Sequence, residues 1–420
     1  MVWGNLARYP QRLFHFILKR SFISTMQAIL IAAGRSTRFW PFNQEHKATF
    51  PIFGKPLLLW TLESLAAEGG IEEAIIIHGS GSVIPTIIPS VIGTMAVRFA
   101  VQEEPIGTGN ALYQARPFVR GEFALVWPDM VNAGPLVARM TEYAHAQKAE
   151  GVLVGAPTDT PWVFGIIENE RGRVTRVTEK PARGMEKSRI KRVGVELLGE
   201  DFFSFYDALP THHETDLVDA INEYAAARTV VLMEEDDVSV LKYPWDVFVA
   251  LDILASQPDL ASHNGAVIEE GAMIEGAVYL GEGARVASGA SISGPSSIGA
   301  GAVIGEHSVL RHVVVGEGTL IQGAHLEDSV VGAQCSIGNG VRLSPRPSQA
   351  GTVQSVVKGE RIDTGRESLG AMMGDNVTVE SHATIAGGVL IGSNVVIGPG
   401  IAITENIEDG EEIFPRVDNE

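Results

Sequence analysis

The chain has 420 residues, which is long for one ordinary domain and suits two, and its 45% hydrophobic residues suffice for sizeable cores. Its formal net charge of −19 argues against a nucleic acid partner, because phosphate backbones are bound by basic faces. The single cysteine, Cys335, excludes an intrachain disulfide and indicates a reducing compartment, so we expect a cytoplasmic protein. No apolar run approaches the roughly 20 residues of a membrane helix, so no membrane span is expected.

Residues 1–25 differ from the rest of the chain, since they contain four basic residues and no acidic one. Two interpretations are open. The segment is either a basic, aromatic membrane-surface helix or targeting segment, or the result of a translation start placed too early, with Met26 as the true first residue. The second is favoured, because the apolar stretch LFHFIL is too short for the core of a signal peptide.

Residues 26–256 alternate strand-like and helix-like stretches. Buried parallel strands are predicted at 27–33, 73–79, 122–129 and 151–157, and helices at 56–69 and 134–147. This alternation is typical of an α/β, doubly wound, Rossmann-like sheet, whose ligands bind at the carboxyl ends of the strands.

The loop after the first strand reads GRSTR at residues 34–38. Gly34 would let the backbone approach a phosphate closely, and Arg38 would supply a fixed positive charge. Taken alone, a glycine–arginine turn is also typical of an ordinary solvated loop.

From residue 263 onward glycine becomes frequent and helix patterns stop. Aliphatic residues recur at every sixth position from Ile268 to Leu310, the register slips near Val315, and the period resumes within 331–343 and 373–403. A period of six fits neither a helix nor a half-buried strand. The pattern predicts a β-solenoid over 263–410, with the aliphatic residues inside and small residues at the corners. Residues 344–370 form an inserted loop, and loops of such length are usually functional or disordered.

Several segments together resemble the sugar-1-phosphate nucleotidyltransferases. The stretch AAGRSTRFWPFNQEHKATFPIFGKPLL, which starts at Ala32, is similar to the signature loop of the family. VQEEPIGTGNALYQARPF (101–118), ALVWPDMV (124–131) and VFGIIENERGRVTRVTEKP (163–181) are similar to its base-binding, metal-binding and sugar-binding segments.

The six-residue pattern resembles the left-handed parallel β-helix of hexapeptide-repeat proteins, which commonly trimerise. VKGERIDTGRESLGAMMGDNV (357–377) is similar to a segment of the bifunctional N-acetylglucosamine-1-phosphate uridyltransferase/glucosamine-1-phosphate acetyltransferases, especially their archaeal-like form. The resemblance spans nearly all of residues 27–410. It implies a Rossmann-like nucleotidyltransferase domain followed by a left-handed β-helix, and a homo-trimer.

The implied reaction is attack by a sugar-1-phosphate oxygen on the α-phosphorus of a nucleoside triphosphate, with release of pyrophosphate. On the resemblance, Arg38 would hold the leaving phosphates, Lys47 would neutralise the α-phosphate, and Asp129 would bind Mg²⁺. Each has an ordinary alternative: Asp129 as a turn cap and Lys47 as a plain loop lysine, for example.

The resemblance also implies residues for the two substrates. Those for the nucleotide, with a pattern that suggests UTP or dTTP, are Ala32, Gly34, Gln102, Gly107 and Thr108. Those for the sugar-1-phosphate are Gly165, Glu179, Lys180 and Arg192. Glu179 and Lys180 have a surface ion pair as their alternative.

The chain departs from the family pattern in the first half. Ser36 replaces the second glycine of the signature loop, where its side chain would crowd the phosphates or donate a hydrogen bond to them. Arg192 stands where asparagine is usual, two residues before the sugar-site glycine. The second metal ligand is replaced by Val240 or Lys242, and Asp236 and Asp237 are the acids nearby.

The second half departs further. Gln322 and Pro345 stand where acetyltransferase relatives have a histidine base and an asparagine. His325 would be a shifted base, or simply a polar corner residue, and Lys358 would face a neighbouring subunit's cleft. Acetyl-CoA is expected only if this second activity exists.

Three functions stay open, in this order. The first is a nucleotidyltransferase that makes a UDP- or dTDP-sugar, with the β-helix as a trimerisation scaffold. The second is a bifunctional enzyme that also acetylates an amino-sugar-1-phosphate. The third is a non-catalytic, nucleotide-binding regulatory protein, which Arg192 and the missing second ligand would favour. The identity of the sugar stays open.

Overall fold

A computed structural model describes residues 26–236, 240–257, 260, 262–263, 265–344 and 351–415. The expectations for residues 1–25, Asp237 and Pro345 lie outside these ranges. Two regions follow one another along the chain, which we call the sheet region (26–255) and the coil (265–415).

The elements of the sheet region alternate largely as expected. Its strands are β1 (Met26–Ala32), β2 (Pro51–Ile52), β3 (Lys55–Pro56), β4 (Ile71–Gly79), β5 (Val91–Ile92), β6 (Met95–Gln102), β7 (Phe123–Val126), β8 (Gly151–Pro157), β9 (Gly165–Glu170), β10 (Arg173–Glu179), β11 (Ile190–Leu198) and β12 (Val230–Glu234). Its helices are α1 (Leu57–Glu68), α2 (Ile84–Ile87), α3 (Thr108–Tyr113), α4 (Ala133–Gln147), α5 (Phe202–Asp207), α6 (Asp216–Ala227) and α7 (Val247–Ala255).

The main sheet has the order β5-β6-β4-β1-β7-β11-β8-β12-β10-β9. The strands β6, β4, β1 and β7 pair in parallel. The expected run of parallel strands is interrupted, because β11 lies between β7 and β8 and is antiparallel to both. An antiparallel strand needs no helical crossover, so the alternation of helices and strands does not reveal it.

Helices pack on the sheet through apolar faces with helical spacing. In α1 the buried residues Leu58, Leu62 and Leu65 lie four and seven positions apart, which places them on one face. A Cβ atom on Gly134 of α4 would lie 2.0 Å from the carbonyl oxygen of Ser64, so glycine allows α4 to approach α1. Within the described ranges, no helix combines the length and the apolar character that a bilayer crossing requires.

The coil consists of short strands joined by turns. They are β13 (Val267–Ile268), β14 (Met273–Glu275), β15 (Val278–Leu280), β16 (Arg285–Val286), β17 (Ser291–Ser293), β18 (Ser296–Ile298), β19 (Val303–Ile304), β20 (Val309–Val315), β21 (Leu320–Ile321), β22 (His325–Val331), β23 (Ser336–Ile337), β24 (Arg342–Ser344), β25 (Gln354–Val357), β26 (Glu360–Asp363), β27 (Met372–Met373), β28 (Thr378–Val379), β29 (Thr384–Ala386), β30 (Leu390–Ile391), β31 (Val396–Ile397), β32 (Ala402–Ile403) and β33 (Glu412–Ile413).

Coil strands pair in parallel with strands about 18 residues further along, which is three steps of six. Thus Ile268 pairs with Val286, and Val286 with Ile304. Near the expected slip the repeat shortens, since Ile304 pairs with Ile321. The inward aliphatic residues form one continuous core. Ile268 remains 42% exposed, because it belongs to the first turn of the coil and lacks a preceding layer.

The two regions share an apolar cluster. Phe248 and Leu251 of α7 pack there with Val330 and Met372 of the coil, together with Phe39 of the loop after β1. A small hairpin, β2–β3, adds a polar link, since the backbone N–H of Phe53 donates to Ser297 Oγ at 2.8 Å. The loop after β1 is therefore held on one side by the coil.

Candidate active site

A cleft of about 660 Å³ opens at the carboxyl ends of β1 and β6. It is lined by many of the residues expected at the site, namely Gly34, Gln102, Gly107, Thr108, Glu179, Lys180 and Arg192. An adjoining cavity of about 240 Å³ shares Glu179, Lys180 and Arg192 and adds Arg38 and Gly165. The structure thus brings both expected substrate segments to one edge of the sheet.

Ala32 does not line the cleft. Its side chain is buried in the core beneath the sheet, whereas its neighbours Ile31 and Ala33 line the cleft. Successive side chains of a strand point to opposite faces, so any role of Ala32 toward a nucleotide falls to its backbone.

Ser36 holds the loop after β1 in shape. Its backbone has a φ of +48°, a left-handed conformation that favours glycine, which explains why a glycine would be suited to this position. Its Oγ accepts the backbone N–H of Lys47 at 3.0 Å. The side chain therefore ties the two ends of the loop together, and because Ser36 also lines the cleft, its expected effect on a bound phosphate stays a prediction.

Lys47 and Asp129 form an ion pair at the edge of the sheet. Lys47 Nζ lies 2.6 Å from Asp129 Oδ2 and also donates to the carbonyl oxygen of Leu241 at 2.5 Å. Asp129 is only 4% exposed, and its Oδ1 has no hydrogen-bond partner within the described residues. A buried carboxylate oxygen without a partner is an unusual arrangement, and it suits a cation that arrives with a ligand.

Within the described ranges, Asp129 belongs to no group of three or more histidine, cysteine or acidic side chains that is placed to hold a metal. Asp236 is exposed, and Asp246 accepts the backbone N–H groups of Lys242 and Tyr243 at 2.7 Å each. Since Mg²⁺ often binds through one or two carboxylates plus substrate phosphates, Asp129 alone fits an ion carried by a nucleotide.

Lys242 occupies one of the two positions considered for the second metal ligand. Its Nζ donates to the carbonyl oxygen of Val163 and lies 4.1 Å from the centre of the Phe164 ring. Burial, reinforced by the positive charges of Arg38 and Lys180, lowers the pKa of Lys242 to about 7. Near neutral pH this side chain can therefore gain a proton when an anion binds beside it.

The base segment is organised by Gln102. Its Nε2 donates to the carbonyl oxygen of Gly107 at 3.0 Å and to Asn110 Oδ1 at 2.9 Å. Gln102 thereby shapes the entry to α3, and its amide nitrogen is already engaged. A Cβ atom on Gly107 would lie 2.8 Å from the Cα of Glu214, so glycine permits the approach of residues 213–215.

The sugar segment combines Glu179 and Lys180, whose charged groups lie 3.1 Å apart. Both side chains line the cleft, so the ion pair between them is compatible with a substrate-binding role. A Cβ atom on Gly165 would lie 2.9 Å from Glu179 Oε2, so glycine leaves that carboxylate its place.

Arg192 lines the cleft, and its guanidinium is held in place by Glu196 and Trp127. Its Nε donates to the buried carboxylate of Glu196, and its guanidinium lies 5.7 Å from the Trp127 ring centre.

Gly194, with a φ of +81°, lies so close to Trp127 that a Cβ atom would be 1.7 Å from the ring. The sequence analysis missed Trp127, Glu196 and residues 214–215, because only the folded chain brings them to Arg192 and Gly107.

The coil residues considered for acetyl transfer are not brought together. His325 and Gln322 are exposed on the coil. The expectation that Lys358 faces a neighbouring subunit's cleft stays a prediction. Within its own chain, its Nζ donates to Thr37 Oγ1 at 2.6 Å, because the inserted hairpin β25–β26 reaches back to the loop after β1.

Comparisons with known proteins match both halves of the chain. The family model described as "Nucleotidyl transferase" matches residues 27–241. "Bifunctional protein GlmU" from Methanococcus maripaludis is 31% identical over 418 residues, which cover 93% of this chain and 98% of that protein.

Two further similarities involve a curated relative and a solved structure. "Bifunctional sugar-1-phosphate nucleotidylyltransferase/acetyltransferase" from Sulfurisphaera tokodaii is 27% identical, with 92% of this chain and 99% of that protein covered. A solved "UDP-glucose pyrophosphorylase from acinetobacter baumanii" is 20% identical, covers 56% of this chain and 95% of that one, and has a TM-score of 0.48. The family model and the near full-length relatives show that the chain belongs to the nucleotidyl transferase family and, along nearly its whole length, to the family of the proteins named bifunctional GlmU.

Proposed function

We propose that this protein is a sugar-1-phosphate nucleotidyltransferase that transfers UMP or dTMP to a sugar-1-phosphate and releases pyrophosphate. The observation that carries the proposal is the Lys47–Asp129 pair with its buried, unpartnered Oδ1, set at the strand ends beside the loop of Arg38. The name of the Sulfurisphaera tokodaii relative, a sugar-1-phosphate nucleotidylyltransferase/acetyltransferase, supports a sugar-1-phosphate as the acceptor.

In this proposal the chain acts by positioning substrates and neutralising charge. Arg38, exposed in the adjoining cavity, binds the leaving phosphates, and Lys47 turns from Asp129 toward the α-phosphate. Asp129 would hold Mg²⁺, which supplies charge neutralisation at the phosphates when bound. Glu179 accepts a sugar hydroxyl, and Lys180 and Lys242 face the phosphate of the sugar.

We also propose the domain organisation. Residues 26–256 form the nucleotidyltransferase domain, and residues 263–410 form a left-handed hexapeptide β-helix with residues 344–370 inserted. The three-step, 18-residue pairing of the coil supports this reading. The β-helix serves as the scaffold of a homo-trimer, for which light scattering should give three times the 44.9 kDa chain mass. The buried free thiol of Cys335 agrees with a cytoplasmic location.

A second function, acetyl transfer from acetyl-CoA to an amino-sugar-1-phosphate, is favoured by one observation. Relatives named as bifunctional are covered over 98% and 99% of their length by this chain. His325 is the candidate base, exposed on β22. Thiol release from acetyl-CoA in the presence of glucosamine-1-phosphate tests it, and release that persists in His325→Gln would exclude this histidine.

The main proposal is tested by identifying the products. The purified protein is incubated with Mg²⁺, UTP or dTTP, and glucose-1-phosphate or N-acetylglucosamine-1-phosphate, and the products are identified by mass spectrometry. A nucleoside diphosphate sugar together with pyrophosphate is expected. Nucleotide binding without any product would instead support the regulatory alternative.

A further inference from the structure

The tip of the inserted hairpin is built around Lys358. Strands β25 and β26 pair from Gln354–Asp363 to Val357–Glu360, which leaves Lys358 and Gly359 as a two-residue turn. Both turn residues have positive φ, +53° for Lys358 and +77° for Gly359. Such turns favour asparagine, aspartate or glycine at the first position, so lysine is locally disfavoured there. A residue that breaks a local preference is a candidate for a functional role.

The hairpin is held in place from two sides. Ser355 Oγ donates to the carbonyl oxygen of Gly388 at 2.7 Å, and Asn406 Nδ2 donates to that of Val356 at 2.8 Å. Val357 is buried in the same apolar cluster as Phe39 of the loop after β1. The position of the hairpin tip relative to that loop is therefore fixed by packing and by hydrogen bonds to the coil.

The ammonium of Lys358 lies against the loop that we assign to the phosphates. Its Nζ is 2.6 Å from Thr37 Oγ1, and Thr37 lines the large cleft together with Arg35. Within the described residues, this ammonium has a neutral hydroxyl rather than a carboxylate as its hydrogen-bond acceptor. A cation without a counter-charge is a suitable partner for an anionic ligand.

The same loop carries a concentration of positive charge. Arg35 and Arg38 are exposed on either side of Thr37, although the chain as a whole has a net charge of −19. Lys358 adds a third cation from a distant part of the sequence. Three cations around one exposed loop match the charge of a triphosphate tail better than that of a monophosphate.

We propose that Lys358 binds the β- and γ-phosphates of the nucleoside triphosphate, so that the coil supplies a phosphate-binding residue to the cleft of its own chain. This inference rests on the proposed nucleotidyl transfer, and it extends that proposal by assigning part of the nucleotide site to the second half of the chain. It also gives the inserted hairpin a role in the nucleotide reaction.

The test compares the affinities of UTP and UMP by isothermal titration calorimetry at one ionic strength of about 0.1 M, where screening is moderate. The variant is Lys358→Asn, because asparagine tolerates the left-handed conformation while it removes the charge and the contact with Thr37. The control is Arg361→Gln, which removes an exposed charge from the same hairpin at a position paired with the exposed Val356.

Lys358→Asn is expected to weaken UTP binding by about threefold to tenfold, as for one charged contact at a partly exposed site, and to leave UMP binding unchanged. Arg361→Gln should leave both unchanged. Equal affinities in Lys358→Asn and the wild type, or an equal loss for UTP and UMP, would overturn the assignment. Failure of the wild type to bind UTP, dTTP or UMP would overturn the proposed function itself.

Discussion

Lys47 and Asp129 lie 82 positions apart in the sequence, and the structure brings Nζ and Oδ2 to 2.6 Å. The lysine lies within the signature segment that follows β1, and the aspartate lies just after the end of the neighbouring strand β7. In this pair Oδ2 of the buried carboxylate contacts the lysine, and Oδ1 has no hydrogen-bond partner among the described residues. The first prediction concerns that oxygen.

Replacing Asp129 by asparagine should lower the rate of pyrophosphate release by at least about 100-fold, because the amide cannot neutralise or hold a divalent cation as the carboxylate does. Titration of the activity with Mg²⁺ should show a large loss of metal affinity. Asp236→Asn is the control, since Asp236 is exposed. Equal Mg²⁺ dependence in both variants would exclude Asp129 as the metal ligand.

Two substitutions at Ser36 separate its hydrogen bond from its backbone conformation. Ser36→Ala loses the bond to the Lys47 N–H and keeps a Cβ atom at a φ of +48°, so its free energy of unfolding should fall by about 1 kcal/mol. Ser36→Gly loses the same bond but gains about as much from relief of the left-handed strain, so it should be nearly neutral. Chemical denaturation measures both. An unfolding free energy for the alanine variant at or above that of the glycine variant would contradict this assignment.

From the lowered pKa of Lys242 we predict that the affinity for the sugar-1-phosphate depends on pH. Burial and the nearby cations lower its pKa to about 7, and a bound phosphate favours its charged form. Binding above pH 7 therefore requires proton uptake, so affinity should weaken by up to about tenfold per pH unit between pH 7 and 9. Affinities measured across this range should lose that slope in Lys242→Gln but keep it in Lys187→Gln, which alters an exposed lysine. A slope that survives in Lys242→Gln would contradict the prediction.

From the contacts of His312, at the junction of the two regions, we predict that the free energy of unfolding depends on pH. Its Nδ1 lies 2.5 Å from Asp328 Oδ1 in the coil, and its Nε2 lies 3.3 Å from Asp252 Oδ1 of α7. Burial opposes its charged form, but the two carboxylates outweigh burial and raise its pKa to about 9. Because the folded pKa is raised, this stabilisation is complete below about pH 6.5 and is lost as the pH rises through 9.

The free energy of unfolding should therefore fall by about 1–3 kcal/mol between pH 6.5 and 9.5. His312→Gln should remove most of this change, whereas His145→Gln, on the exposed face of α4, should keep it. Denaturation curves at several pH values measure the difference. Identical pH profiles for the two variants would show that the His312 cluster does not supply the effect.

The sequence predicted the repetitive part of the fold best. In the coil each layer repeats the contacts of the preceding layer. Its inward aliphatic residues, such as Val286, Ile304 and Ile337, belong to a pattern with a period of six residues. This period can be read from the local sequence without knowledge of long-range contacts. The strands at 27–33 and 73–79 were equally clear, because both faces of a central parallel strand are buried. The antiparallel β11 was missed, since Arg192 and Glu196 interrupt its apolar pattern and an antiparallel strand needs no helical crossover.

At the site, the sequence identified residues that lie in recognisable segments, such as Arg38, Asp129 and Glu179. It missed Trp127, which enters because Gly194 lets the strands approach. It named Lys358 but not its contact with Thr37, 321 positions away. That contact depends on how the coil packs on the loop after β1, and no local pattern indicates that packing.

The most direct measurement is the initial rate of Mg²⁺-dependent pyrophosphate release, with UTP, dTTP, CTP, GTP and ATP each paired with a panel of sugar-1-phosphates. The wild type should release pyrophosphate with UTP or dTTP in a manner that requires the sugar phosphate. Arg38→Ala should reduce that rate by about 100-fold or more, as for loss of a cation that stabilises the leaving group. No release with any pair, from folded protein that still binds nucleotide, would contradict the assignment of this cleft as a nucleotidyl transfer site.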